Sequence, residues 1–202
     1  KVKLEKNKEY ISYLTEDLEI KLYKDPFAIE IYREEAEITG NKKMKGQGFY
    51  INNADEVSRD FLKKIEDYDF ADEILNLHLL SGSNNKIELT ISKKLDSVIN
   101  FKFKNYDEEE NQKISSFASE WEIKEDDHFY GFGERFGKID KKGEKVDLWV
   151  KNGSYPGATY KPIPFFMTPR GYGIMVDTEV RCICNMGTAE EAKKYSIVNM
   201  DS

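Results

Sequence analysis

The fold class is decided by Leu18-Glu-Ile-Lys-Leu-Tyr-Lys-Asp-Pro-Phe-Ala-Ile-Glu-Ile-Tyr32. Apolar and polar residues alternate in Leu18–Tyr23 and again in Phe27–Tyr32, which is the period of a strand with one buried face. Asp25-Pro26 between the two runs is typical of a turn. The pattern predicts adjacent strands joined by a hairpin or a tight corner. The side chains expected to point inward are Leu18, Ile20, Leu22, Phe27, Ile29 and Ile31.

The same alternation recurs along the chain, with turn residues between the runs. Many short strands without regular helices between them predict a mostly β fold, an antiparallel β-sandwich. The further predicted strands are Ile87–Ile91, Val98–Phe103, Val146–Val150, Gly173–Val176 and Val180–Cys184.

One or two short helices are also expected. From Asp55 to Asp67 the apolar residues Val57, Phe61, Leu62 and Ile65 would share one helical face. Thr188–Glu191 has the form of a capping box and predicts a single turn up to Lys194.

Composition limits the class of protein. A chain of 202 residues with 39% hydrophobic residues is long and apolar enough for one sandwich domain covering 1–202. The net charge of −7 argues against a nucleic-acid partner, whose binding is dominated by Lys and Arg. No apolar run approaches the roughly 18 residues of a membrane span, so no membrane partner is expected.

The two cysteines, Cys182 and Cys184, are one residue apart. In a strand this spacing places both side chains on one face, where a disulfide between them is unfavourable. Two thiols alone also make a weak metal site, so none is expected. Buried, reduced cysteines fit a reducing cytoplasm.

A search for catalytic motifs finds none: His78 and His128 are far apart, and no nucleophile elbow or phosphate loop occurs. Most carboxylates lie in charged, polar runs, which lack the desolvation that raises a catalytic pKa. Glu134 lies among aromatic residues, but an ion pair, with Arg135 or another cation, is the expected role. No cofactor is predicted.

Aromatic residues and glycines interleave in His128–Phe136 (HFYGFGERF) and Tyr160–Gly173 (YKPIPFFMTPRGYG), with the Trp149 strand between them. Together these segments resemble the N-terminal β-sandwich domain of glycoside hydrolase family 31, the α-glucosidases and α-xylosidases, and look closest to the α-xylosidase branch. The resemblance implies a galactose-mutarotase-like sandwich. It also implies a retaining enzyme that releases terminal α-linked glucose or xylose from oligosaccharides.

In that family a (β/α)8 barrel after this domain carries the nucleophile and the acid/base, both Asp. Neither matches a position here. The chain is expected to stop before the sandwich's closing strand and before the barrel, and to be inactive alone. The implied partners are its own barrel and an oligosaccharide, with a homo-oligomer of the full-length enzyme left possible.

The resemblance also assigns roles within the domain. The family's Trp-Asn-x-Asp loop, aligned on Trp149, places the pocket-shaping Asp on Asn152, which lacks the charge. Asn152-Gly153 is equally a turn dipeptide, so both roles stay open. Trp149 is itself a predicted substrate-binding residue, and Tyr155 and Tyr160 could present rings to a sugar. Framework or docking roles fall to Glu134, Arg135, Phe165 and Phe166.

Three hypotheses follow from these observations. The leading one is an accessory domain that docks on the barrel and lends it a loop. The second is an independent carbohydrate-binding module. The third is a purely structural sandwich whose loop contacts nothing.

Overall fold

The computed structural model describes residues 1–53, 59–106, 114–155, 157–189 and 194–200. These residues form antiparallel sheets and contain no α-helix; a 3₁₀ turn covers Lys42–Met44, and Ala189 also has 3₁₀ geometry. The strands are β1 Lys3–Lys6, β2 Tyr10–Leu14, β3 Glu19–Lys24, β4 Phe27–Arg33, β5 Ala36–Gly40, β6 Phe49–Asn53, β7 Arg59–Ala71, β8 Ile74–Ser81, β9 Lys86–Leu95, β10 Val98–Asn105, β11 Ile114–Glu122, β12 Tyr130–Glu134, β13 Lys145–Leu148, β14 Lys161–Met167, β15 Gly173–Met175, β16 Cys182–Asn185 and β17 Lys194–Met200.

The chain divides into two compact units, Lys1–Phe117 and Ala118–Ser202, and the division falls within β11. Each unit has its own buried apolar residues. That residues 1–202 form one domain stays a prediction.

In the first unit, a sheet in the order β1-β2-β3-β4-β5 faces strands in the order β10-β9-β8-β7-β6. Phe27 of β4 packs on Phe49 of β6, with ring centroids 5.3 Å apart, and Phe49 packs in turn on Phe103 of β10. The Tyr13 hydroxyl donates to the Glu73 carbonyl oxygen at 2.7 Å. The mostly β, sandwich-like class predicted from the alternation is therefore confirmed.

The opening stretch forms a hairpin rather than a corner. β3 and β4 pair antiparallel, with Lys24 opposite Phe27 across the Asp25-Pro26 turn. Ile20, Leu22, Phe27 and Ile29 are fully buried, Leu18 nearly so, and Ile31 partly. The hydrophobic effect thus places the predicted face inward.

The predicted helix over Asp55–Asp67 is wrong where the structure describes it, since residues 59–67 belong to the thirteen-residue strand β7. The register of β7 against β8 shifts between Leu62 and Lys64 and again between Ile65 and Asp67. Each irregularity moves the following side chains to the other face, so the apolar residues do not alternate. Their spacing therefore imitated a helical face. Residues 55–58 lie outside the described ranges.

The second predicted helical turn, from Thr188 to Lys194, lies mostly outside the described residues. Lys194 itself begins strand β17.

The second unit contains a three-stranded sheet, β12-β14-β15, and the antiparallel strands β13-β16-β17. Four aromatic rings meet in its core, those of Phe129, Phe132, Phe166 and Tyr195, with centroid distances of 5.2–5.7 Å. Cys182 and Cys184 lie buried on one face of β16 as free thiols, with their Sγ atoms 4.0 Å apart. The prediction of buried, reduced cysteines is confirmed.

Candidate functional site

The loop from Trp149 to Tyr160 connects β13 to β14 in the second unit. Its two legs are joined by a pair of backbone hydrogen bonds between Lys151 and Thr159, with N···O distances of 2.9 and 3.0 Å. Ala158 and Thr159 are fully buried. The Thr159 hydroxyl donates to the Glu134 carbonyl oxygen at 2.5 Å. The base of the loop is therefore fixed by the fold.

The large side chains of the same loop face solvent. Trp149 is 53% exposed, Tyr155 51% and Tyr160 45%. A partly exposed aromatic ring offers an apolar face together with a polar edge, which suits a ligand that has both, such as a sugar. The aromatic side chains among the four predicted substrate-binding residues are thus all accessible on this loop.

Asn152, the fourth residue of that set, is also exposed. Within the described part of the chain its side-chain amide makes no hydrogen bond. Gly153 beside it has φ +146°, and a Cβ there would lie 2.4 Å from Cε1 of Tyr155. Gly153 therefore allows the turn, while the Asn152 amide is left available to a ligand. The turn and an accessible Asn152 amide are compatible, and the substrate contact of Asn152 stays a prediction.

Asp147 of β13 is a carboxylate near the loop that pairs with two cationic side chains. Its carboxylate accepts hydrogen bonds from Arg181 at 2.6 and 2.9 Å and from Lys151 Nζ at 2.7 Å. The Arg181 hydrogen bond, supported by Lys151, lowers the pKa of Asp147 to about 2. Asp147 is not among the residues predicted from the sequence. Its position between Val146 and Leu148 marks an outward-facing strand position, but its partners are remote in sequence.

Arg135 does not form the expected ion pair with Glu134. Glu134 is exposed, and among the described residues it has no ion-pair partner. The Arg135 guanidinium instead donates to two backbone carbonyls, those of Asp147 at 2.5 Å and Gly157 at 3.3 Å. Glu134 is the last residue of β12, and the side chain of Arg135, which follows the strand, is instead directed to β13 and Gly157.

The two phenylalanines of β14 have different environments. Phe166 is 1% exposed and belongs to the aromatic core, so it cannot contact another domain. Phe165 lies on the opposite face, where its ring covers Gly173 so closely that a Cβ there would be 2.8 Å from Cε2. Of the two, only Phe165 has a side chain accessible enough to contact another domain.

Phe165 belongs to an exposed apolar patch that was not predicted from the sequence. Ile163 is 48% exposed, Met167 51% and Met175 61%. Met175 of β15 is the cross-strand partner of Phe165. We call this patch the β14–β15 apolar face; its residues are Ile163, Phe165, Met167 and Met175. The signal was present in β14, where after Lys161 both alternating sets of residues are apolar, a pattern typical of strands covered on both sides.

An open groove of about 340 Å³ lies beside Trp149. Its walls are mostly apolar, and Thr178 and Glu179 are the polar residues among those that line it. The other lining residues are Leu148, Trp149, Val150, Pro162, Pro164, Val180 and Cys182.

The described residues also bear on metal binding and on membrane crossing. Within the described ranges no group of three or more His, Cys, Asp or Glu side chains is arranged to hold a metal ion. In the same ranges no helix has the length and apolar character to cross a membrane.

Comparison with known proteins identifies the family of this chain. The α-xylosidase XylQ of Lactiplantibacillus pentosus is 34% identical over 77 residues, 38% of this chain and 10% of that protein. Alpha-glucosidase 2 of Bacillus thermoamyloliquefaciens is 35% identical over 80 residues, 36% of this chain and 10% of that protein. The chain thus spans about a tenth of the length of these curated relatives.

The fold agrees with a solved structure, the E. rectale GH31 family sulfoquinovosidase. The TM-score is 0.62 at 12% identity, covering 99% of this chain and 31% of that one. At this identity the likeness establishes the fold only. The sequence profile of the glycosyl hydrolase 31 N-terminal galactose mutarotase-like domain matches residues 1–184. The resemblance drawn from the Gly-Glu-Arg-Phe region is therefore confirmed, and the chain belongs to the family of glycosyl hydrolase 31 N-terminal domains.

Proposed function

We propose that this chain is the non-catalytic N-terminal domain of a retaining α-glycosidase that releases terminal α-linked glucose or xylose from oligosaccharides. The observation that carries the proposal is the Trp149–Tyr160 loop, which has a buried base and exposed aromatic side chains in a domain of this family. Relatives named α-xylosidase and α-glucosidase support the substrate class. The bonds are broken by residues outside this chain, and the chain alone is inactive.

In this proposal the loop lends its side chains to the substrate pocket. Trp149, Tyr155 and Tyr160 supply flat apolar faces, and Asn152 supplies an amide that both donates and accepts hydrogen bonds. Because Asn152 carries no charge, its contact with a sugar hydroxyl is weaker than that of the Asp expected from the resemblance.

The domain docks on its own (β/α)8 catalytic barrel through the β14–β15 apolar face. On this face three exposed apolar side chains, those of Ile163, Met167 and Met175, surround the partly exposed Phe165, an arrangement that is unfavourable in water and favourable against another apolar surface. The small share of the curated relatives covered by this chain leaves ample length for such a barrel.

The free, buried thiols of Cys182 and Cys184 support a cytoplasmic location for this enzyme.

A second candidate function is an independent carbohydrate-binding module. It is favoured by the exposure of Trp149 and Tyr155, since an exposed ring can bind a sugar without a second domain. In that case the aromatic loop would recruit polysaccharide and contribute nothing to a catalytic pocket.

Titration calorimetry of the isolated chain with xylo- and malto-oligosaccharides separates the two candidates. An accessory domain is expected to show no measurable heat of binding, because its loop forms only part of a pocket. Saturable binding that is lost in Trp149→Ala would overturn the accessory role and establish the binding module.

A hydrolysis assay on a chromogenic α-xyloside tests the location of the catalytic groups. The isolated chain should give no turnover above the buffer blank. Turnover by the chain alone would show that catalytic residues lie within it.

A further inference from the structure

Arg135 contacts both the strand that leads into the Trp149–Tyr160 loop and the leg of the loop that returns to β14. Its Nη2 atom donates to the carbonyl of Asp147, in the strand that leads into the loop. Its Nη1 atom donates to the carbonyl of Gly157, on the returning leg of the loop. The rigid planar fork of a guanidinium can bond two such carbonyls at once, which an ammonium group cannot do with fixed geometry.

The backbone around Arg135 follows the same returning leg. The Phe136 amide donates to the Ala158 carbonyl at 3.2 Å, and the Gly157 amide donates to the Phe136 carbonyl at 3.4 Å. One residue earlier, the Glu134 carbonyl accepts the Thr159 hydroxyl. The segment 134–136 therefore lies along residues 157–159, and Arg135 extends from it to β13.

The environment of Arg135 is unusual for a structural surface arginine. Its Nε atom is buried and has no hydrogen-bond partner in the described part of the chain. Burial also lowers the pKa of its guanidinium, although the nearby Asp147 acts in the opposite direction. Burying a charge against neutral carbonyls is unfavourable unless the geometry is well fixed. The surroundings of Arg135 therefore have to be well ordered.

We propose that Arg135 is a positioning residue: its guanidinium fixes the returning leg of the loop to β13 and so determines where Trp149 and Tyr160 stand. That these side chains meet a sugar rests on the proposed function. The fixing of the loop does not, and it can be tested without any ligand.

Arg181 provides a matched control. It also bonds to Asp147, but to the carboxylate and not to the backbone carbonyl. Arg181→Met removes a neighbouring guanidinium and leaves both carbonyl contacts of Arg135 in place. Arg135→Met removes the two contacts, whereas Arg135→Lys keeps the charge and can bond only one carbonyl well.

Hydrogen exchange of the chain, followed by mass spectrometry, reports the opening of the loop. The amides of Lys151, Ala158 and Thr159 are hydrogen-bonded within the loop and are the sensitive positions. Arg135→Met should raise their exchange rate at least about tenfold, because a hydrogen bond to a charged group contributes to holding the leg closed. Arg135→Lys should give an intermediate rate, and Arg181→Met should match the parent.

Three results would overturn the proposal. Exchange in Arg135→Met could equal that of the parent, or Arg181→Met could accelerate the same amides equally. Exchange could also rise uniformly through the second unit in both Arg135 variants, which would make Arg135 a residue of general stability. Should Arg135→Met fail to fold, Arg135→Lys against Arg181→Met decides the question.

A kinetic measurement separates this proposal from the proposed function. In the enzyme that contains the catalytic barrel, Arg135→Lys should raise KM for an oligosaccharide several-fold with little change in kcat, since the loop would bind ground state and transition state alike. Faster loop exchange with an unchanged KM would keep the positioning role of Arg135 and refute the contact between loop and substrate.

Discussion

At the scale of single residues, Asp147 connects β13 to its surroundings in two ways. Its backbone carbonyl accepts the Arg135 guanidinium, and its carboxylate accepts Arg181 and Lys151. The carboxylate is largely shielded, while Arg181 and Lys151 are 45% and 40% exposed. Asp147 therefore orders two exposed cations that would otherwise move freely in solvent.

The pKa of Asp147 predicts how stability depends on pH. In the folded chain this pKa is about 2, compared with the ordinary 3.8. Because the folded value is the lower one, the contribution is complete above about pH 4 and disappears as pH falls towards 2. Asp147→Asn should lower the free energy of unfolding at pH 7 by about 1–2 kcal/mol, since water screens the exposed partners.

Denaturant titration between pH 7 and pH 3 checks this prediction. The difference between parent and Asp147→Asn should shrink as the pH falls, whereas Glu5→Gln, an exposed control, should match the parent throughout. A difference that stays constant with pH would contradict an electrostatic origin.

At the scale of elements, the long strand β7 organises the turn between β8 and β9. Asp60 of β7 is buried and accepts the Ser81 hydroxyl at 2.5 Å, the Asn85 amide at 2.9 Å and the Ser83 backbone amide at 3.0 Å. A polar residue thus occupies an inward position of the strand. This exception to the alternating pattern contributed to the wrong helix prediction.

Asp60→Ala should destabilise the first unit by about 2–4 kcal/mol, because buried donors of the turn lose their acceptor. Ser83→Ala is the matched control, since it changes the same turn but keeps the backbone amide that bonds Asp60. Thermal unfolding measures both variants. Equal losses in the two would show that the turn does not depend on β7.

At the scale of the whole molecule, the β14–β15 apolar face should govern how the isolated chain behaves in solution. Replacing Ile163 and Met167 by Ser removes half-exposed apolar surface and breaks no contact of the aromatic core. The double variant should bind less of an environment-sensitive hydrophobic dye and self-associate less, with an unfolding temperature within a few degrees of the parent.

The control for this prediction is the same double replacement at Leu95 and Val98, which are 66% and 45% exposed at the end of the β9–β10 hairpin. It should leave dye binding and self-association nearly unchanged. An equal effect of both double variants would show that the β14–β15 apolar face does not govern how the isolated chain behaves in solution.

Alternating apolar residues in the sequence by themselves determined the β-class, the adjacent strands β3 and β4 and the shared face of Cys182 and Cys184, because the period of a strand is a local property. That β3 and β4 form a hairpin and not a corner was decided by their pairing in the structure. The Gly-Glu-Arg-Phe region determined the family. The sequence also indicated Trp149 and Tyr155 as candidate substrate-binding residues, but it did not indicate the contacts of Thr159 and Arg135 that hold their loop.

Only the tertiary structure decided that β7 is a strand, that Arg135 bonds carbonyls and not Glu134, and that Phe165 and Phe166 face opposite ways. Asp147 and Arg181 meet across 34 positions of the chain, and Asp60 meets Asn85 across 25. Such partners are selected by strand pairing and by the burial of polar groups, which depend on the whole fold and leave no local signal in the sequence.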